Sequence, residues 1–290
     1  MLQTSVASAE PYVPPRPRSW IAGRVLLYVA LVGIALLYFV PFLWTLSTSF
    51  KTLPDTQNFT FIPHPFTTAA WSSVWNDYDF KRYALNSVFL AVTVTLLNLF
   101  LASLGGYAFA RLRFPGREVL FLLVLGTLMI PDQLRLIPVF VMLTNWHLIG
   151  NFSGYILISV VSAVNLFFMR QYFLTIPKDF EEAAKLDGAG YFKTFWRVML
   201  PLAGPAIAAL AILQFQGTWN DFFWPLILFG QGSEHLYTMQ LGLAEFTLTY
   251  QTIWPQLMAG SILAILPILL IFLVFQRFFV AGVTAAGVKG

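Results

Sequence analysis

The stretch "EEAAKLDGAG" at residues 181–190 is a charged interruption in a strongly apolar chain. It contains two glutamates, a lysine and an aspartate, whereas 10% of the 290 residues are charged and 58% are hydrophobic. A mean hydropathy of +0.72 and a content of 29 phenylalanines lie outside the range of soluble domains. The apolar runs on either side of the stretch therefore predict an all-α integral membrane protein, and the stretch itself is predicted to lie in water.

Six apolar runs are long enough to cross a hydrocarbon core, which needs about 20 helical residues. The predicted membrane spans are residues 25–44, 85–110, 119–143, 152–173, 202–230 and 257–279. The first run is too long for the apolar core of a signal peptide, and small residues suited to a peptidase site are missing from its end. We predict a flexible cytoplasmic N-terminal tail (1–23), a six-span domain (24–281) and a cytoplasmic C-terminal tail (282–290).

The basic residues predict the orientation of the spans. Thirteen of the 17 lysines and arginines lie in segments that share one side if the N-terminus is inside. Lys51, Lys81 and Arg82 lie on the other side, and Arg135 lies within the third span. Because cytoplasmic loops carry an excess of basic residues, this bias predicts that both termini are cytoplasmic.

Several other classes of function are excluded by the composition. The chain has no cysteine, so disulfides and cysteine-based metal or redox sites are not available. Its three histidines fall in predicted outer loops and do not indicate a metal site. The net charge of +4 does not indicate nucleic-acid binding, because the basic residues lie between apolar runs.

The chain is not expected to hydrolyse ATP. A phosphate-binding loop needs the pattern G-x-x-x-x-G-K-[ST] between a strand and a helix. The nearest match, "GVTAAGVKG" (282–290), has Val288 at the lysine position. We therefore expect a transport subunit that binds no cofactor and has no catalytic residue.

The charged stretch is flanked by signals for a helix, a turn and a second helix. Thr175 or Asp179 could cap the first helix, and Asp179 has capping-box spacing to Glu182. Gly188 is suited to a left-handed helix end, and adjacent alanines at 183–184 present a nearly bare surface. From these residues alone the segment could also be a plain interfacial linker.

A resemblance to a known family gives this segment a function. Glu182-Ala183-Ala184, then Asp187-Gly188-Ala189, Phe195 and Leu200-Pro201 resemble the EAA signature of ABC importer permeases. The resemblance extends over the chain from the first span to the last residue. The stretches that resemble the six-span partner of the permease pair in maltose-type carbohydrate importers are residues 86–92, 111–118, 218–228 and 279–290.

The resemblance implies that the loop 175–201 contains a cytoplasmic coupling helix that docks on an ATPase subunit. The implied coupling residues are Glu181, Glu182, Ala183, Ala184, Asp187, Gly188 and Ala189. Glu182 would face basic groups of the ATPase, the two alanines would allow close packing, and Gly188 would set the bend. Asp187 could instead act only as a local helix cap.

The resemblance also implies the partners and the compartment. These are a homologous permease subunit in a heterodimer, two cytosolic ATPase subunits that use ATP and Mg²⁺, and an extracytoplasmic solute-binding protein. The implied location is the prokaryotic cytoplasmic (inner) membrane. The chain is therefore expected to contact the lipid bilayer, and no nucleic-acid partner is expected.

Polar residues within two predicted spans are candidates for the substrate path, since such residues are costly in a membrane. In the third span, Asp132, Gln133 and Arg135 lie between two prolines, where the helix is predicted to break and Asp132 could pair with Arg135. In the fifth span, Asn220 and Asp221 lie among aromatic residues that include Trp219 and Trp224; Gln214 and Gln216 are weaker candidates. Hydrogen-bonding groups beside aromatic rings suit a sugar, although such residues can also serve only to satisfy a broken helix.

Other transport functions remain as alternatives at this point. An ABC permease for a phosphate ester, an amino acid or a peptide would share the coupling segment. A secondary transporter usually has more spans and inverted repeats, and a docking segment would have no role in it. An integral membrane enzyme is not supported, because no histidine or carboxylate cluster is present in the sequence.

Overall fold

A computed structural model describes residues 18–230, 232–247 and 251–287. Over these residues the regular structure is helical, apart from an isolated bridge between Thr247 and Thr252. The prediction of an all-α protein is therefore confirmed.

The described residues form 14 α-helices joined by short turns. The helices are α1 (Arg18–Thr48), α2 (Ala69–Asn76), α3 (Phe80–Arg111), α4 (Arg117–Gly126), α5 (Asp132–Asn145), α6 (Phe152–Ser159), α7 (Ala163–Thr175), α8 (Asp179–Leu186), α9 (Tyr191–Thr194), α10 (Leu200–Leu202), α11 (Gly204–Trp219), α12 (Phe223–Phe229), α13 (Met239–Ala244) and α14 (Trp254–Gly287). A π-helical turn at Phe195–Met199 joins α9 to α10, so these three elements continue one another.

Three helices in the described ranges are long and apolar enough to cross a membrane without a break. They are Gly23–Thr48 within α1, the whole of α3, and Trp254–Val274 within α14. Three further apolar helix pairs are bent, namely α4 with α5 by 103°, α6 with α7 by 42°, and the segment Tyr191–Leu202 with α11 by 75°. Six spans result if each bent pair crosses once.

The breaks correct two of the predicted spans. The third span breaks at Pro131 as predicted, because proline has no N–H to continue the helical ladder and adopts an extended conformation here. The fourth span, predicted as continuous, is interrupted between Ser159 and Ala163. The fifth, predicted over 202–230, ends at Trp219, and residues 223–229 form the separate helix α12.

The ends of the described chain also differ from the predicted tails. Helix α1 begins at Arg18, inside the predicted N-terminal tail, and residues 1–17 lie outside the described residues. Helix α14 continues to Gly287 through most of the predicted C-terminal tail, and residues 288–290 lie outside the described residues.

The long helix α3 is the centre of the packing. It lies against α7 and α11 along much of its length. Near Arg111 it contributes Tyr107 to an apolar cluster with α7 and the π-helical turn, and near Phe80 it joins a second cluster with α2, α13 and α14. Leu90 and Val94 belong to a third cluster with α6 and α12. The close approach to α7 depends on Gly106, where an added Cβ would lie 2.7 Å from the Cβ of Met169.

Helix α1 stands apart from this core. None of the residues in its most apolar window is buried within the chain, and its main helical neighbour is α14. Leu26 and Leu37 are 72% and 70% exposed. Such a continuous apolar surface is costly in water, so a bilayer or another membrane subunit must cover it.

Candidate functional site

Two of the helix breaks, at Pro131 and between Ser159 and Ala163, surround one cavity together with the turn between α11 and α12. Its volume is about 470 Å³, and its wall includes residues next to Pro131, residues on both sides of the α6–α7 break, and the end of α11. The polar or aromatic wall residues that matter below are Asp132, Arg135, Tyr155, Gln214, Asp221 and Trp224. The structure thus brings together the two regions that the sequence singled out separately.

Asp221 is fixed in the turn between α11 and α12. Its Oδ2 accepts a hydrogen bond from the Tyr155 hydroxyl at 2.9 Å, and its Oδ1 accepts one from the Trp224 N–H at 3.4 Å. The carboxylate therefore accepts a backbone N–H at the start of α12, and it also lines the cavity. Trp224 lines the same wall and is mostly buried, so an aromatic ring and a carboxylate meet there.

Asp132 and Arg135 form an ion pair one helical turn apart on α5, as predicted. Both side chains are about half exposed and line the cavity. Gln133 is exposed and does not belong to the cavity wall. The guanidinium of Arg135 is therefore already paired before any substrate enters.

A buried amide network supports the cavity wall. The Asn165 Nδ2 donates to Asn98 Oδ1 at 2.6 Å and to Gln214 Oε1 at 2.8 Å. Asn98 in turn donates to the Val160 carbonyl at 3.0 Å, and Gln214 donates to Thr218 at 3.2 Å. The network joins α3, α7 and α11 and satisfies a carbonyl that the α6–α7 break leaves free, as buried backbone in a membrane requires.

Asn98 and Asn165 were not among the predicted site residues. Their signal was available, because each is an isolated amide within an apolar run and intramembrane polar residues are rare. Gln214, a weaker candidate, lines the cavity and belongs to this network, whereas Gln216 is exposed and not part of the wall.

Two other predicted substrate-path residues, Trp219 and Asn220, do not line this cavity. Trp219 is 1% exposed, stacks on Phe215, and donates from its indole nitrogen to the Ala264 carbonyl of α14 at 3.0 Å. Asn220 accepts a hydrogen bond from Gln240 at 3.3 Å and does not line the cavity. Neither residue lines this cavity, so a role of Trp219 or Asn220 in the substrate path stays a prediction.

The coupling segment contains the predicted short helix. Helix α8 ends in a Schellman motif, in which the Gly188 N–H bonds the Lys185 carbonyl at 3.0 Å and the Ala189 N–H bonds the Ala184 carbonyl at 2.9 Å. Gly188 has φ +75°, the left-handed conformation that glycine adopts without strain. Lys178 precedes the helix and no side chain caps it, so the expected capping box is absent. Asp187 is the C-terminal cap residue.

The two faces of α8 have different environments. Glu181 and Ala184 are each 8% exposed and face the rest of the chain. Glu182 and Ala183 are exposed, and Leu186 is 90% exposed. The expectation that both alanines form an open surface is therefore corrected: Ala183 is available to a partner, whereas Ala184 is covered within this chain.

Glu181 pairs with an arginine at the end of α3. Its Oε1 lies 2.9 Å from the Nε of Arg111, and the side chains are 11% and 6% exposed. The contact is a close ion pair rather than a hydrogen bond of normal geometry. Arg111 also donates from Nη2 to the Ile176 carbonyl in the turn before α8. Glu181 is thus committed to an internal contact.

The described residues contain no group of three or more His, Asp or Glu side chains arranged to hold a metal ion. The geometry instead combines a polar cavity between broken membrane helices with a short amphipathic helix at the α3 end that carries Arg111.

Residues 99–285 match the family model described as the inner membrane component of binding-protein-dependent transport systems. The chain belongs to this family. The match begins at residue 99 within α3, one residue after Asn98, and includes the residues that line the cavity and helix α8. The predicted recognition as a transport permease and the predicted location in the membrane are confirmed.

Individual members of the family are similar over most of the chain. The arabinooligosaccharide transport permease AraQ of Bacillus subtilis is 36% identical over 92% of this chain and 96% of its own length. The diacetylchitobiose uptake permease NgcG of Streptomyces coelicolor is 33% identical over 86% and 84%, respectively. A crystal structure of a bacterial ABC transporter that imports the acidic polysaccharide alginate aligns with a TM-score of 0.80 and 26% identity, covering 92% of this chain and 100% of the matched chain.

Proposed function

We propose that this chain is the permease subunit of an ATP-driven importer and that its translocation path carries an uncharged sugar or oligosaccharide. The observation that carries the proposal is the cavity at the α4–α5 and α6–α7 breaks, where Asp221, Trp224 and the amide of Gln214 line the wall. Carboxylate and amide groups can hydrogen-bond sugar hydroxyls, and an indole ring offers a surface to an apolar sugar face. Two of the similar permeases are named for arabinooligosaccharides and diacetylchitobiose.

The charges on the cavity wall favour neutral solutes over anionic ones. The charged side chains that line it are two carboxylates, Asp132 and Asp221, and one guanidinium, Arg135. Because Arg135 is paired with Asp132, the pair adds no net positive charge that would neutralise a phosphate or a uronate. An anion would also meet Asp221, and like charges brought together out of water cost several kcal/mol.

The family and helix α8 together support an assembly with other subunits. We infer a solute-binding protein on one side of the membrane, a homologous permease beside this chain, and two ATPase subunits that use ATP and Mg²⁺ on the cytoplasmic side. The bias of 13 basic residues towards one side supports cytoplasmic termini. In this orientation the exposed Glu182, Ala183 and Leu186 of α8 face the ATPase.

The test is uptake by the complete complex in proteoliposomes. We expect uptake of a neutral oligosaccharide that requires internal ATP and persists when ion gradients are dissipated. A matched uronate oligosaccharide and a phosphorylated sugar should enter at least about tenfold more slowly, which corresponds to ~1.4 kcal/mol. Equal or faster uptake of the anionic solutes would refute the neutral-sugar assignment, and uptake driven by an ion gradient alone would refute ATP-driven import.

A pair of aspartate variants tests whether the cavity wall sets the preference for neutral over anionic solutes. Asp221→Asn removes one negative charge from the wall while it keeps an oxygen for the Tyr155 hydroxyl, so it should narrow the difference between neutral and anionic solutes. Asp77→Asn is the matched control, because Asp77 caps the end of α2 and does not line the cavity. The same selectivity in both variants would show that Asp221 does not set it.

A further inference from the structure

We propose that the Arg111–Glu181 ion pair is a fixed joint, which means a link between α8 and α3 that stays intact when α8 moves. Through this joint, movement of α8 reaches the cavity wall and the opposite end of α3. The inference rests on the proposed function, since it assumes that α8 is moved by an ATPase subunit. It assigns Glu181 and Arg111 a positioning role within this chain, distinct from the docking role of the exposed Glu182.

The burial of the pair makes it a specific connection. Both side chains are almost fully removed from solvent, at 11% and 6% exposed, with Oε1 and Nε 2.9 Å apart. A buried charge that loses its partner is strongly unfavourable, so the two residues must stay together when α8 moves. Arg111 also holds the backbone before α8 through the Ile176 carbonyl, so the helix is attached at two points.

The unbroken length of α3 lets it carry a displacement. It has 32 residues, which span about 48 Å at 1.5 Å per residue. Its neighbours α4–α5 and α6–α7 are bent by 103° and 42° and can flex at those breaks. An unbroken helix attached at one end to α8 therefore moves as one body, while the broken helices around it accommodate the movement.

Asn98 connects this helix to the cavity. It lies 13 residues before Arg111, or about 20 Å along the axis. Its side chain holds the Val160 carbonyl in the α6–α7 break and accepts a hydrogen bond from Asn165. A shift of α3 would thus act directly on the break that forms part of the cavity wall, which includes Ser159 and Ser162.

The opposite end of α3 is attached to the segment before and within α13. Asn86 donates to the carbonyls of His235 and Tyr237 at 3.0 and 2.9 Å. The Met239 N–H donates to the Ser87 hydroxyl at 2.8 Å. Helix α3 therefore has polar attachments to α8, to the cavity wall and to residues 235–239. A movement of α3 would act on all three regions together.

The adjacent glutamates provide a matched test. Glu181→Gln removes the buried charge, and Glu182→Gln removes the exposed charge one residue later on the same helix. The complete complex should be assayed for retention of the ATPase subunits, for basal ATP hydrolysis, and for ATP hydrolysis stimulated by the binding protein with solute. Arg111→Gln and the double variant Arg111→Gln with Glu181→Gln complete a mutant cycle.

The joint predicts that Glu181→Gln and Arg111→Gln each lower stimulated ATP hydrolysis and uptake by about tenfold, within the usual range of coupling effects. The ATPase subunits should remain bound and basal hydrolysis should remain near wild type. Because the two residues share one interaction, the double variant should be no worse than either single variant. Additive losses, or unchanged stimulation in both single variants, would overturn the proposal.

Two further outcomes are decisive. Release of the ATPase subunits by Glu181→Gln, with Glu182→Gln unaffected, would show that Glu181 acts in docking and that the joint is wrong. If the single variants do not assemble, the double variant Arg111→Glu with Glu181→Arg can be used, because it exchanges the two charges and keeps the ion pair. If this variant assembles but its ATP hydrolysis is not stimulated by the binding protein with solute, the proposal is also overturned. A wild-type complex stimulated by a solute other than a sugar would contradict only the proposed substrate and leave the joint testable.

Discussion

The substitution Gly106→Ala should destabilise the chain by forcing α3 and α7 apart. An alanine Cβ at this position would lie 2.7 Å from Met169 Cβ, 2.9 Å from the Arg170 backbone nitrogen and 3.0 Å from the Met169 carbonyl carbon. Carbon atoms pack best at about 3.5–4.0 Å, so the helices must separate by roughly 1 Å at this point. Two of the three contacts are with backbone atoms, which cannot move aside as a side chain can.

Gly105→Ala is the matched control at the neighbouring position. Its added Cβ would lie 2.9 Å from Leu166 Cδ1, the flexible end of a side chain that can rotate away. Both substitutions gain about 1 kcal/mol of helix propensity, which cancels in the comparison. Overpacking typically costs about 1–3 kcal/mol, so Gly106→Ala should be less stable than Gly105→Ala by about that amount.

The difference can be measured by thermal unfolding of the purified chain in detergent micelles or by denaturant titration. A cost of 1–3 kcal/mol corresponds to a lower midpoint temperature by several degrees, at about 2–4 °C per kcal/mol for large chains. Equal midpoints for the two alanine variants would refute the reasoning that backbone contact at Gly106 limits the approach of α3 to α7.

Three further predictions concern stability. Gly188→Ala should lower the free energy of unfolding by about 1–2 kcal/mol, since an L-residue is strained in the left-handed conformation. Gly190→Ala should leave it unchanged in the same melts, because Gly190 has a negative φ and open space around it. Trp219→Phe should cost about 1–3 kcal/mol through the lost bond to α14 and leave the solute selectivity of uptake unchanged; altered selectivity would contradict its placement outside the cavity. Burial raises the pKa of Glu245, so stability should fall as pH rises from the ordinary glutamate pKa towards the raised one, and Glu245→Gln should flatten this slope in melts recorded across pH.

The sequence identified the helix break that a local residue causes and overlooked the break that tertiary contacts cause. Pro131 ends a helix wherever it occurs in a helical run, so the break in the third span was readable. No proline or glycine lies between Ser159 and Ala163, and the carbonyl freed at Val160 is satisfied by Asn98, 62 residues earlier. A break held by a distant side chain leaves little local signal.

The assignment of faces on α8 shows the same limit. Helical spacing places Glu181 and Ala184 on one face, but the spacing does not say which face turns inward. That choice depends on Arg111, 70 residues earlier. For the same reason two nearby tryptophans were predicted to share one role, although the turn after α11 sends Trp219 into the core and Trp224 to the cavity.

The isolation of α1 has a consequence for how the chain is made. Its main helical neighbour, α14, begins at Trp254, so the ribosome must add about 200 further residues before that neighbour exists. At 5–20 residues per second this interval lasts about 10–40 s. During that time lipid or another membrane subunit must surround α1, which its apolar surface on every side allows. Helix α1 therefore gains its main contact within the chain only after α14 has been made.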